Sequence, residues 1–172
     1  MAGHSDNDLG LPDFGDAPPK IAVVIAPYYT AIARAQQNAV SDVLTRAKAQ
    51  FETIEVPGSL EIAPAIGIAN RLGDFDGFVA LGCVIRGATS HYDVVVNESA
   101  RGITNLTLAG VPVGNGIITV ETMAQAEERA DGNRLNTAGG AAEAALHLIA
   151  LSRRLKTRKQ PGTVGFGAGT SS

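Results

Sequence analysis

The sequence predicts a single α/β domain, a three-layer α/β/α sandwich of flavodoxin-like type with four parallel strands in the order 2-1-3-4 and helices on both faces. Three observations carry this reading. Short apolar runs alternate with longer segments whose apolar residues recur at helical spacing, the pattern of a parallel sheet joined by right-handed crossovers. Two of the runs, Ile21 to Ala26 and Phe78 to Leu81, are apolar throughout, as strands covered on both faces are. The chain has 172 residues, 45% of them hydrophobic and 18% charged, enough to bury one sizeable core and ordinary for a compact α/β protein.

Each element follows in order. Residues 1–19 are polar and broken by Gly and Pro, so they read as a flexible tail; residues 157–172 have the same character, leaving 20–156 as the domain. Ile21 to Ala26 is the first strand, bounded by prolines, and Pro27-Tyr28-Tyr29-Thr30 is the loop after it. A helix follows with Ile32, Ala35, Ala39, Val43 and Ala47 on one face. Phe51 to Val56 alternates apolar and polar residues, as a more exposed strand does. Pro57-Gly58-Ser59-Leu60-Glu61 leads into a helix carrying Ile62, Ile66 and Ala69. Phe78 to Leu81 is the third strand, and Asp93 to Leu108 is a proline-free helix with Val95, Ser99, Gly102, Ile103 and Leu106 at helical spacing. Val111 to Val120 is a fourth strand whose early Pro112 suits a strand start. Glu121 to Ala130 is a short helix and Asp131 to Thr137 a polar turn. Gly139-Gly140 opens a last helix, with Ala141, Ala145, Leu148, Leu151 and Leu155 expected to face inward.

Composition excludes several functions. A net charge of −3 gives no footprint for nucleic acid. No run approaches a membrane span, and the acidic N-terminus lacks the apolar segment of a signal peptide. The single cysteine, Cys83, has no partner for an internal disulfide, which fits a reducing cytoplasm. No His, Cys or Asp cluster has metal-ligand spacing, so no metal is expected. Neither GxGxxG nor GxxxxGK[ST] occurs in a strand-turn-helix context; Gly165-Phe166-Gly167-Ala168-Gly169 has no strand before it and no helix after it.

The chemistry concentrates in strand-end loops. Gly82-Cys83-Val84-Ile85-Arg86-Gly87-Ala88-Thr89-Ser90-His91-Tyr92-Asp93 joins the third strand to a helix, with Thr89, Ser90 and Asp93 as candidate N-caps. In an open parallel sheet such a loop lies at the carboxyl edge, where ligands bind. The N–H groups of a helix start favour an anion. His91 is either a capping histidine or, placed here, a general acid/base. Glu61 is either a favourable charge at a helix start or an acceptor for a polyol. Arg86 and Arg129 are surface charges, ion-pair partners or phosphate contacts; Arg129 follows Glu127-Glu128, so a salt bridge is open to it. Tyr28 and Tyr29 either pack or stack on a flat heterocycle. Cys83 continues an apolar strand, and burial of that kind makes a poor nucleophile.

These loops resemble a known family. Pro57-Gly58-Ser59-Leu60-Glu61-Ile62, the long loop Gly82 to Asp93, and Asn97-Glu98 are similar to the motifs of 6,7-dimethyl-8-ribityllumazine synthases, and the resemblance runs from about Ile21 to Leu155. It implies condensation of 5-amino-6-(D-ribitylamino)uracil with 3,4-dihydroxy-2-butanone 4-phosphate, without cofactor or metal, in the penultimate step of riboflavin synthesis. It also implies roles: His91 moves protons, Ala88 and Thr89 bind phosphate through backbone N–H groups, and Arg129 adds a charged contact. Tyr28 takes the stacking position, Ser59, Leu60 and Glu61 hold the ribityl chain, and the backbone of Cys83, Val84 and Ile85 reads the pyrimidine edge. Asn115 stands where many members place a phenylalanine contributed by the neighbouring subunit, Pro27 where arginine is common, and Ala138 lies in a turn where many carry lysine, whose charge Arg134 partly replaces. The family forms homo-oligomers, pentamers or multiples of them, with active sites between subunits. Two other readings fit the same residues: a flavin or lumazine binder without turnover, and a shell-forming scaffold.

Overall fold

The computed structural model describes residues 9–158. Nine elements follow one another: β1 (Lys20–Ile25), α1 (Thr30–Arg46), β2 (Gln50–Glu55), α2 (Ser59–Leu72), β3 (Gly77–Ile85), α3 (His91–Leu108), β4 (Val113–Val120), α4 (Met123–Ala130) and α5 (Thr137–Arg158). The strands form one parallel sheet ordered β2-β1-β3-β4, as the alternating pattern predicts.

The two-residue period of a strand divides the core between two faces. Ile21, Val23 and Ile25 of β1, with Val79 and Leu81 of β3, point to one side. There they pack under Val40, Val43 and Leu44 of α1 and Ala142, Ala145, Leu146 and Ile149 of α5. The alternate residues, Ala22, Val24, Phe78 and Ala80, point to the other side, against Ile62 and Ile66 of α2 and Ile103 of α3. A third cluster closes the far end of β4, where Ile118 and Val120 meet Ala126 and Ala130 of α4 along with Ile32 and Cys83. Strand β2 lies at an edge and is largely exposed, in keeping with its alternating sequence.

The last helix buries the expected Ala141 and Ala145 but not the three expected leucines. Its inward residues are Ala138, Ala141, Ala142, Ala145, Leu146 and Ile149, whereas Leu148, Leu151 and Leu155 stand 38%, 40% and 47% exposed. The cause lies across the interface, in β4. Gly114 leaves no side chain between strand and helix, and a Cβ there would come within 1.8 Å of the Ala141 carbonyl oxygen. A helix seated this close to a sheet accommodates alanines at the contact, with Leu146 and Ile149 beside them, and Leu148, Leu151 and Leu155 turn away. The helix also begins earlier, at Thr137, with Asn136 in a left-handed conformation (φ 44°) and its Oδ1 accepting from the Gly139 N–H.

Short helix α4 starts at Met123 because Thr122 and Gln125 form a reciprocal cap. Thr122 Oγ1 accepts from Gln125 N at 3.3 Å, and Gln125 Oε1 accepts from Glu121 N at 2.9 Å. Part of the stretch expected to be an N-terminal tail lies against the body. Leu11 and Phe14 pack on the core, Arg153 sits 5.3 Å over the Phe14 ring and donates to the Ala17 carbonyl, and it pairs with Asp76 at 3.0 Å. Residues 1–8 and 159–172, including the Gly165–Gly169 stretch, lie outside the described residues. Among the described residues no helix is long and apolar enough to cross a membrane.

Candidate active site

The sheet order places β1 and β3 side by side, with the chain crossing to opposite faces after each of them. A crevice at the carboxyl ends of the strands follows from that switch. A cavity of about 340 Å³ opens there. Loop β1–α1 contributes Tyr28 and Tyr29; loop β2–α2 contributes Gly58, Ser59, Leu60 and Glu61. The end of β3 and the entry to α3 supply Cys83, Val84, Ile85, Gly87, Thr89, His91, Tyr92 and Val95. Three loops far apart in sequence therefore meet at one concavity.

Nine of the twelve residues singled out in the sequence line this cavity: Tyr28, Ser59, Leu60, Glu61, Cys83, Val84, Ile85, Thr89 and His91. Ala88, Asn115 and Arg129 lie outside its lining. Ala88 is exposed in the loop between Gly87 and Thr89. Asn115 is exposed on β4, its Oδ1 accepting from Ile117 N at 3.1 Å. Arg129 sits on α4 and donates to the Gln125 carbonyl at 3.3 Å. The salt bridge open to Arg129 does not form; Glu128 pairs with Arg134 at 3.0 Å instead. Tyr29, weighed beside Tyr28 for packing or stacking, also lines the cavity, as do Gly58, Gly87, Tyr92 and Val95, to which no role was given.

Local sequence accounts for the cavity's shape. Ser59 is buried beneath Gly82, where a Cβ would come within 3.0 Å of its Oγ. Glu61, in the first turn of α2, folds its Oε2 back over Gly58, where a Cβ would lie 2.9 Å away. Glycine at both positions lets a hydroxyl and a carboxylate share a narrow wall. Tyr28 stands 73% exposed at the mouth, edge-on to Tyr29 with ring centroids 5.1 Å apart. Such an exposed aromatic has a free face for stacking.

Burial sets the protonation of two groups in the cavity wall. Burial pushes the Cys83 thiol up to about 11, so it stays protonated at neutral pH and is a poor nucleophile. Tyr29 is raised as well, first by burial and then by the neighbouring Cys83 and Tyr28. Past Ile85 the chain enters α3 through exposed residues, and among the described residues the N–H groups of Ala88 and Thr89 have no partner within the chain. They stand at the start of an 18-residue helix, where free N–H groups favour negative charge. Among the described residues no group of three or more His, Cys, Asp or Glu is placed to hold a metal ion. A wider groove of about 570 Å³ lies between α1 and the turn after α4, but Asp42, Glu127 and Asp131 with three asparagines line it. The acidic lining of that groove disfavours an anion.

Comparison with known proteins gives one family. The sequence model of a family described as 6,7-dimethyl-8-ribityllumazine synthase matches residues 18–153. A protein of that name from Jannaschia sp. (strain CCS1) is 70% identical over 166 residues, covering 96% of this chain and 92% of its own. One from Methylobacterium radiotolerans is 50% identical over 135 residues, 78% of this chain and 82% of its own. One from Novosphingobium aromaticivorans is 47% identical over 135 residues, 78% of this chain and 97% of its own.

Proposed function

This chain belongs to the 6,7-dimethyl-8-ribityllumazine synthase family, and from that premise we propose that its two substrates meet in the cavity at the carboxyl ends of β1, β2 and β3. The reaction is a transferase step of riboflavin biosynthesis. The amine of 5-amino-6-(D-ribitylamino)uracil attacks the ketone of 3,4-dihydroxy-2-butanone 4-phosphate and water leaves to give an imine. Phosphate is then eliminated, and ring closure with loss of a second water yields the lumazine.

His91, at the first position of α3 and on the cavity wall, moves protons in imine formation and in the elimination. The N–H groups of Ala88 and Thr89 receive the phosphate at the helix start. Tyr28 stacks on the pyrimidine, whose polar edge meets the backbone of Cys83, Val84 and Ile85. Ser59, Leu60 and Glu61 hold the ribityl chain, with the Glu61 carboxylate accepting from its hydroxyls. Asn115 and Arg129 do not line the cavity of their own chain. We read them as reaching the cavity of a neighbouring copy, in a homo-oligomer built of pentamers, where Arg129 offers the departing phosphate a charge-assisted contact. The single described cysteine and the absence of a membrane-crossing helix among the described residues support a cytoplasmic enzyme.

The convergence of the three loops carries this reading. An absorbance assay of lumazine formation tests it, with the wild type and His91→Ala side by side and assembly checked by light scattering. The variant should retain assembly and lose about 10²- to 10⁴-fold in rate. Full rate in the variant would remove His91 from the chemistry. A wild type that makes no product above the spontaneous reaction, yet binds lumazine or riboflavin tightly, would make the chain a binder.

A further inference from the structure

We propose that Arg86 is a positioning residue that holds His91 in place by fastening the first turn of α3 to the end of β4. The proposal rests on the reading of His91 given above. It begins from an anomaly at the helix entry. Ser90, the residue before the helix, makes no side-chain cap and is itself in a helical conformation. Thr89 Oγ1 reaches His91 N only at 3.4 Å. The usual means of fixing a helix start are therefore weak at the place where the proton-moving residue sits.

Arg86 supplies what the cap does not. Its backbone N–H donates to the Val120 carbonyl at 2.9 Å, which fixes the loop to the last residue of β4. Its Nε contacts the Glu121 carboxylate at 2.8 Å, and its Nη2 donates to Asp93 Oδ1 at 3.2 Å. The face of the guanidinium lies 4.0 Å over the Tyr92 ring. One planar group thus grips the two residues that follow His91 and ties them to a strand end 35 residues further along the chain. Exposed ion pairs of this kind contribute little to stability one at a time, so their yield here is geometry. Only arginine can do all of it, because lysine has neither the fork nor the flat face. The pairing also removes Arg86 from the list of phosphate ligands, since two carboxylates already occupy it.

Steady-state kinetics with both substrates on Arg86→Met and Arg86→Lys, joined to NMR of ¹³C-labelled histidine, test the proposal. The chain has three histidines, His4, His91 and His147, so the His91 signal is readily resolved and assigned. Arg86→Met should lower kcat about 10- to 100-fold, the scale of a small misplacement of a catalytic group. It should shift or broaden the His91 signal and leave His147 unmoved. It should also raise KM for the phosphate-bearing substrate, because Asp93 and Glu121 would be left uncompensated beside the phosphate turn. Arg86→Lys should recover only part of the loss; full recovery would reduce the role to charge alone and overturn the proposal. Wild-type kcat with an unmoved His91 signal in Arg86→Met would overturn it as well. Should that variant not fold, Glu121→Gln, which cuts only the anchor to β4, decides by the same two readouts. The NMR arm needs no turnover: a wild type without lumazine synthesis defeats the assignment of the reaction, and the His91 signal still decides the role of Arg86.

Discussion

Substituting Gly114 by alanine isolates the contact that decides how α5 sits on the sheet. The added Cβ would lie 1.8 Å from the Ala141 carbonyl oxygen, 2.7 Å from its carbon and 3.2 Å from the Ala145 nitrogen. Every one of these is backbone of a buried helix, so no rotamer change relieves the overlap. To restore an ordinary contact the helix must withdraw by roughly 1.6 Å, and a gap of even 0.5–1 Å forfeits about a quarter to a half of the dispersion well for the atoms left behind. Those atoms include Ala142, Ala145, Leu146 and Ile149, all 0–1% exposed. Overpacking of a core costs about 1–3 kcal/mol, and a rigid backbone clash belongs at the upper end. About 3 kcal/mol in a domain of this length lowers Tm by about 6–12 °C. Gly140→Ala is the matched control. It lies on the same helix with nothing within 4 Å of the new methyl, so it should gain about 0.5–1 kcal/mol from helix propensity. Scanning calorimetry at one protein concentration measures both, since assembly adds its own stabilisation. A Gly114→Ala protein melting within 2 °C of wild type, on the order of one kcal/mol or less, would refute the close approach of β4 and α5.

Two further predictions concern the cavity. With its thiol held at about 11 by burial, Cys83 in the folded protein should carry about one thiolate in a thousand at pH 8, against roughly a quarter for an ordinary thiol. Burial disfavours the charged form, so alkylation by iodoacetamide, followed by mass spectrometry, should accelerate about tenfold per pH unit from 8 to 10; a fast rate that rises only about fourfold and levels off by pH 10 would show the thiol to be accessible and ordinary. Glu61→Gln should raise KM for the ribitylamino substrate about tenfold, the low end for a hydrogen bond to a charged group, and leave kcat within about twofold. An unchanged KM would remove Glu61 from substrate binding.

The sheet was legible because burial on both faces is written as unbroken apolar runs. Ile21 to Ala26 and Phe78 to Leu81 take the two central places, and the alternating Phe51 to Val56 falls at an edge. The facing of α5 was not legible, for a reason of the same kind. The helix carries apolar residues on two adjoining sides, and both continue from Ala141 and Ala145, one through Leu148, Leu151 and Leu155 and the other through Leu146 and Ile149. The deciding fact is the absence of a side chain at Gly114, on another element. Helical periodicity reports how many apolar faces a helix has, but the partner's shape selects among them.

The same distinction separates the parts of the site. Tyr28, Ser59, Leu60, Glu61 and the stretch Cys83 to His91 were readable because each lies in a strand-end loop, and a parallel sheet brings consecutive strand ends to one edge whatever the side chains are. Arg86 sits in the best-marked of these loops, yet its partner Glu121 belongs to the end of β4, and only the register of β3 on β4 brings Ile85 beside Val120. Gln36 is similar: from the middle of α1 its Nε2 donates to the carbonyls of Gly82 at 3.1 Å and Gly116 at 2.9 Å, bracing the strand behind Cys83. Neither residue touches the cavity, and each acts across elements that the chain connects last. Groups that line the cavity are marked by where each stands in its strand-end loop. Groups that hold those loops still are marked only by the packing of the whole sheet, so in this fold the supporting arginine and glutamine are where structure adds to sequence.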